Sequence, residues 1–298
     1  MNNTTRIIND GDRKYVLRLY NNHGDANTVK LEHEVLKALS GADLDFRVPE
    51  PVANREGDTV TVLPDGKIAC LFRYIEGARP DPRNAAQVKA LGAATGAISS
   101  ALNGVNVSFK PQYSPYYELG TTYEAMDKRA LLELVDREPL FRGQAMQFGY
   151  LQDQREQALK LCERAASLPR QWIHGDICCG NALSIGDRLS GILDFEFVTI
   201  DSRAMELAVM MVDLLKREFA SGSRDRLAIA AEAFQDVVAL TAEERKLLPV
   251  LMKLRLLDIT LHFAVRYRDG LDGPDVLSGI VDSCAYGCEW ITNHKPVY

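Results

Sequence analysis

No stretch of this chain is apolar for long enough to cross a membrane, and the opening Met1-Asn2-Asn3-Thr4-Thr5 is too polar for a secretory signal, so a cytoplasmic protein with no membrane partner is expected. Cysteine occurs only six times in 298 residues and never in paired Cys-x-x-Cys spacing, which excludes a disulfide framework and argues against zinc. Positive charge is in deficit. With 35 Lys and Arg against 41 Asp and Glu, the formal net charge is -6, which speaks against a nucleic-acid partner and is compatible with a cationic one. Internal repeats and low-complexity tracts are absent. What remains is an ordinary globular composition, 46% hydrophobic and 26% charged, in a chain long enough for two lobes with sizeable cores.

One stretch organises the rest: Gln171-Trp172-Ile173-His174-Gly175-Asp176-Ile177-Cys178-Cys179-Gly180-Asn181, followed by Gly191-Ile192-Leu193-Asp194-Phe195-Glu196. Apolar Trp172 and Ile173 predict a short strand opening into a tight loop at His174-Gly175-Asp176. A hairpin is predicted next, from Ala182 to Ile185 and from Leu189 to Leu193, turning at Gly186-Asp187. Folding back in this way brings Asp194 beside Asp176 and Asn181, so three side-chain oxygens converge.

Mg²⁺ is small, hard and octahedral, and is held by one or two side-chain oxygens with nucleotide phosphates. Asn181 and Asp194 can supply those oxygens as metal ligands. Asp176 is then left to orient a hydroxyl and accept its proton, the catalytic part of a phosphoryl transfer. His174 and Gly175 are read as holding the loop, Phe195 as core, and Glu196 as either a further metal-side carboxylate or a solvated one. Cys178 and Cys179 are expected to be reduced bystanders in that loop, and Cys284 and Cys288 to share a packed helix face.

The order His-x-Asp, four residues, Asn, then Asp-Phe is the protein-kinase-like signature. With His-Gly-Asp first and Asp-Phe-Glu second, the chain resembles the aminoglycoside phosphotransferase and choline kinase superfamily, which also holds homoserine, methylthioribose and fructosamine kinases. The resemblance implies an α+β, bilobal protein-kinase-like fold using ATP and Mg²⁺. Residues 1–75 read as a small β-rich N-terminal nucleotide lobe, and residues 76–298 as a mainly helical lobe carrying catalysis and substrate. The expected order is a hairpin around Asn9-Asp10-Gly11-Asp12, a helix from Asn27 to Leu39, an extended Val48–Val52 connector, and a second hairpin around Pro64-Asp65-Gly66. Helices are expected at Ala85–Leu102, near 124–137 and 144–167, and then at Arg203–Phe219, Leu227–Val238, Glu243–Arg268 and Ser278–Asn293.

By resemblance, a strand lysine contacts the nucleotide phosphates and pairs with a helix glutamate. Arg18 stands in its place here, with Glu32 as the matching glutamate and Glu34 as the alternate; arginine keeps the charge but is longer and forked. The backbone near Tyr74 and Ile75, in the hinge Leu71–Gly77, would read the adenine edge. The favoured function is phosphorylation of a small molecule's hydroxyl. The alternatives are a bacterial Ser/Thr protein kinase, disfavoured because no Ala-Pro-Glu follows Asp194, and a non-catalytic nucleotide binder, suggested by Arg18.

The acceptor is expected to bear an amine rather than an anionic group, because Tyr113, Tyr116, Tyr117 and Tyr123 with Glu118 and Glu124 offer π-faces and carboxylates. Aminoglycosides and homoserine-like amino alcohols lead by resemblance. Asp201, Glu206 and Asp213 are further acidic candidates for that face, although in the resembled families an acid near Glu206 supports the catalytic loop. The family's first strand and glycine-bearing phosphate loop have no counterpart before Arg6-Ile7-Ile8, so Met1 is expected to be an internal methionine of a longer gene product.

Overall fold

The computed structural model describes residues 3–20 and 26–294. Met1 and Asn2, on which the expectation about the chain start bears, lie outside them. The chain first builds an antiparallel sheet from β1 (Asn3–Asp10), β2 (Arg13–Tyr20), β3 (Pro51–Val52), β4 (Thr61–Val62) and β5 (Ile68–Arg73), with β2 lying between β1 and β5. The tight turn at Gly11-Asp12 places Asp10 opposite Arg13, as a two-residue hairpin requires. β1 begins earlier than its apolar Ile7 and Ile8 suggest, because Asn3 and Thr4 continue the ladder to Tyr20 and Leu19. The Val48–Val52 connector ends in a two-residue strand on the outer edge of β5, which it shares with β4.

Helix α1 (Ala26–Leu39) lays Val29, Leu31, Val35, Leu36 and Leu39 into the core at helical spacing. The same face carries Glu32, only 1% exposed. A carboxylate that deep needs partners, and β2 supplies both: Tyr20 Oη donates to it at 2.8 Å and Arg18 Nη1 at 3.3 Å.

After β5 the segment Arg73–Ala78 crosses onto a hairpin of the helical part, β7 (Ala182–Ile185) with β8 (Arg188–Ile192). Ala78 exchanges two backbone hydrogen bonds with Ser184 at 2.8 and 2.9 Å. Arg47 does the same with Ser190 and Ile192, at 3.0 Å each. The hairpin that precedes Asp194 is thus gripped by chain from the sheet part.

The rest is helical: α2 (Ala85–Leu102), α3 (Leu119–Thr122), α4 (Lys128–Arg137), α5 (Pro139–Arg142), α6 (Ala145–Leu159), α7 (Cys162–Ala166), α8 (Arg203–Asp213), α9 (Ser223–Gln235), α10 (Ala242–Arg268) and α11 (Pro274–Asn293). The expected helix near 144–167 breaks at Lys160–Leu161, where Leu161 N–H reaches back to the Ala158 carbonyl and closes a tighter turn. The helix expected to run to Phe219 ends at Asp213, whose carboxylate takes the Cys179 N–H at 2.8 Å and pairs with Lys216 at 2.5 Å. A strand not expected, β9 (Thr199–Ser202), pairs with β6 (Arg170–Ile173) just ahead of the His174–Asn181 loop. All six cysteines are free.

Helix α2 packs against α9 through its glycines. A Cβ at Gly92 would lie 2.5 Å from the Ala230 carbonyl oxygen, a rigid backbone atom. Gly92→Ala should therefore destabilise the protein by about 1–3 kcal/mol through overpacking, despite alanine's better helix propensity. Thermal denaturation showing an unchanged or higher Tm would contradict this packing.

Candidate functional site

The loop after β6 is built on buried polar contacts. His174, wholly buried, donates from Nε2 to the Leu193 carbonyl at 3.0 Å, and its Nδ1 accepts the Asp176 N–H at 3.2 Å. One imidazole tautomer thus ties the His-Gly-Asp loop to the strand end before Asp194. Burial pushes its pKa down to about 4, so the ring stays neutral. Gly175 takes φ +76°, a conformation open to glycine at little cost. Beneath it, fully buried Glu206 accepts the backbone N–H groups of His174 at 2.6 Å and of Gly175 at 3.2 Å. Burial pushes the Glu206 carboxyl up to about 7, against the pull of those two amides.

Asp176 leaves this loop half-buried. Asn181 Nδ2 donates to its Oδ2 at 2.8 Å and to its carbonyl at 3.0 Å, while Arg255 Nη2, from α10, pairs with Oδ1. Burial raises the Asp176 carboxyl to about 6, although the Arg255 charge pulls it down. Across the hairpin, the Leu193 N–H donates to the Asn181 carbonyl at 2.7 Å, which sets Asp194 next to the loop. Asp194 is the only described non-glycine residue with positive φ, +69°, a strained geometry for an L-residue that aims its carboxylate out of the strand.

From the sheet, Arg18 Nη2 reaches Asp194 Oδ1 at 2.5 Å and Glu196 Oε2 at 3.1 Å. Burial opposes its charge, but the carboxylates of Glu32 and Asp194 outweigh that and hold it protonated. Glu32 therefore meets Arg18, whereas the alternate Glu34 turns to the Ser108 amide and hydroxyl. Glu196 is neither solvated nor free: 4% exposed, it accepts from Arg18 and from Asn3 Nδ2 at 2.7 Å. Asn181 Oδ1 and Asp194 Oδ2 carry no hydrogen bond among the described residues, while the other polar atom of each side chain is engaged. Two open oxygen donors of this kind fit Mg²⁺ completing its octahedron with phosphates and water.

Of Tyr74 and Ile75, expected to read an adenine edge, Tyr74 spends its N–H on the Lys14 carbonyl at 3.2 Å, so only its carbonyl and the Ile75 backbone remain for a ligand. A groove of about 1160 Å³ behind α1 is lined by His33, Glu34, Arg47, Tyr74, Ile75 and Phe109, among others, and includes none of Arg18, Asp176 and Asp194.

The tyrosine-rich stretch serves internal partners. Tyr116 lies under the Arg255 guanidinium, 5.8 Å from charge to ring centre. Its hydroxyl accepts from Arg255 Nη1 at 2.8 Å and donates to the Gly175 carbonyl at 2.9 Å. Tyr117 accepts from Arg170, Tyr123 donates to Asp258, and Tyr113 packs on Phe197. Asp201 is 1% exposed and holds the Tyr116 and Ser202 amides at 2.6 Å each, so like Glu206 it braces the loop and does not face an acceptor. The residue that sequence reasoning missed is Arg255. Its one signal is a lone arginine in Leu254-Arg255-Leu256-Leu257, three positions before Asp258.

Residues 1–246 match the model of the phosphotransferase enzyme family. A homoserine kinase of Brucella anthropi is 26% identical over 280 residues, covering 92% of this chain and 78% of that one. Among solved structures, a microcompartment-associated aminopropanol kinase superposes with a TM-score of 0.76 at 17% identity, over 98% of this chain and 89% of the other. An amicoumacin kinase in complex with AMP-PNP and Ca²⁺ gives 0.67 at 15% identity, with 98% and 89% covered. These structures share the fold: a small antiparallel sheet region with a larger helical part.

Proposed function

We propose, since this chain belongs to the phosphotransferase enzyme family, that it transfers the γ-phosphoryl group of ATP to a hydroxyl of a small metabolite in the cytoplasm. The observation that carries this reading is the convergence of Asp176 and Asn181 from one loop with Asp194 from the end of the hairpin and Arg18 from β2, with oxygen donors left open. In this reading residues 1–75 form the nucleotide lobe, with Arg18, held by Glu32, against the phosphates and the Ile75 backbone with the Tyr74 carbonyl along the adenine edge. Asn181 and Asp194 would hold Mg²⁺, which supplies charge neutralisation on the phosphates. Asp176 orients the acceptor hydroxyl and takes its proton as the oxygen bonds to the γ-phosphorus and the bond to the β-phosphate oxygen breaks, releasing ADP. His174 and Glu206 keep that carboxylate in place without entering the reaction.

The acceptors named for the similar proteins, homoserine, aminopropanol, amicoumacin and aminoglycosides, define the panel to test by ATP consumption and product mass. Transfer to protein with none to any small hydroxyl compound would favour the protein-kinase alternative. Nucleotide binding without turnover on either class would favour the non-catalytic one.

A pH dependence follows from Asp176. Its carboxyl is pushed up to about 6, and a base must be ionised to accept a proton. kcat/KM should fall about tenfold per pH unit below about 6 and level off above it, where an ordinary aspartate would level off near 4. A profile flat down to pH 4.5 would show that the base in the working enzyme is not a raised carboxyl, contradicting the burial of Asp176.

A further inference from the structure

Arg255 is a guanidinium with work left undone. Of its five N–H groups, one is used on Asp176 Oδ1 and one on Tyr116 Oη. The Asp258 carboxylate lies at 3.8 Å from Nη1, an ion-pair contact beyond hydrogen-bond reach. Three N–H groups thus have no acceptor among the described residues, although the side chain is only 18% exposed. The position is also fixed. Tyr116 lies beneath the guanidinium and is itself pinned to the Gly175 carbonyl, and Asp258 is held by Tyr123 Oη at 2.9 Å. A pre-positioned planar fork with spare donors suits a carboxylate.

Its location says whose carboxylate. The phosphate-side cation in the proposed reaction is Arg18, which reaches Asp194 from the sheet. Arg255 comes from α10 and meets the other carboxylate, the one that receives the acceptor hydroxyl. A cation in direct contact with the base also repels a polycationic acceptor. Because Arg255 touches Asp176, an acceptor that meets both carries its hydroxyl and its anionic group only a few bonds apart.

We propose that Arg255 is the acceptor-specificity residue: together with Asp176 it selects a short hydroxylated amino acid, binding its carboxylate through the guanidinium N–H groups that the protein leaves open. Asp258, one helical turn along, stands beside the same position and suits the ammonium of such a zwitterion. The proposal rests on the small-molecule phosphotransferase reading of the site.

The test compares L-homoserine with 3-amino-1-propanol, which keeps the amine and the hydroxyl and lacks only the carboxylate. Binding is measured by calorimetry with a non-hydrolysable ATP analogue present, and turnover with ATP, for wild type, Arg255→Lys and Arg255→Gln. In wild type, homoserine should bind about 10- to 100-fold tighter, the range of a charge-assisted hydrogen-bonded contact. In Arg255→Gln that ratio should collapse towards one through KM, with Arg255→Lys intermediate. Both acceptors meet the same Asp176, so a general disturbance of the base would lower both equally. Equal losses on both would therefore overturn the proposal, leaving Arg255 a residue that only positions Asp176. So would wild-type preference for aminopropanol or an aminoglycoside, which leaves the phosphotransferase reading standing. Arg255-dependent homoserine binding with no phosphate transfer would uphold the carboxylate site and overturn the phosphotransferase reading.

Discussion

Asp176→Asn should lower turnover about 10³-fold while nucleotide affinity stays within a few-fold of wild type. The substitution preserves shape but removes the negative charge that takes the proton. It also sets an amide against the Asn181 and Arg255 donors, which now share one carbonyl oxygen where the wild type offers two carboxylate oxygens. Arg255 is left with only the Asp258 carboxylate, at 3.8 Å, as counter-charge, whereas Arg18 and Asp194, which face the nucleotide in the proposed reaction, pair with each other and not with Asp176. Single-turnover phosphate transfer and nucleotide binding, measured on the same preparation, separate the two effects. A mutant that turns over like wild type would sink the assignment.

Asp194→Asn should abolish measurable turnover and, unlike the change at Asp176, weaken Mg²⁺–nucleotide binding as well. Asparagine is the useful replacement because it tolerates the left-handed backbone that Asp194 adopts at φ +69°, where alanine would add strain. Any loss then reports the carboxylate and not the turn. A Mg²⁺ titration of nucleotide affinity should show the steep metal dependence of wild type flattened in the mutant. If both proteins gain affinity equally on adding Mg²⁺, Asp194 is no ligand. Arg18 keeps Glu32 and Glu196 in the mutant, so an unchanged Tm is the companion expectation.

The hairpin turning at Gly186-Asp187 was legible because turn chemistry is local and two residues decide it. The convergence of Asp176, Asn181 and Asp194 was legible for a related reason. Only short, well-defined pieces of chain separate them, so few foldings of that stretch are open. The burial of Glu32 was readable from its place on the apolar face of α1, and the divergence of Glu34 from its place off that face. The strand Thr199–Ser202 was not legible. Its residues are mostly polar, and they are satisfied by partners far along the chain, such as the Tyr113 carbonyl for Thr199 at 2.6 Å and the Tyr116 amide for Asp201.

By itself, then, the sequence determined the order of the main elements apart from the Thr199–Ser202 strand and the break near Lys160, the family resemblance, and the loop and hairpin that carry the three oxygen-bearing side chains, because each depends on residues close together in the chain. Tertiary structure alone decided what those side chains touch. Arg255 meets Asp176 across 79 positions and Asn3 meets Glu196 across 193. Of the tyrosines that sequence offered to a cationic ligand, Tyr116 and Tyr117 meet the protein's own arginines, Tyr123 meets Asp258 and Tyr113 packs on Phe197. Connectivity constrains no such meeting; it arises when separately formed elements pack and their buried charges must find partners.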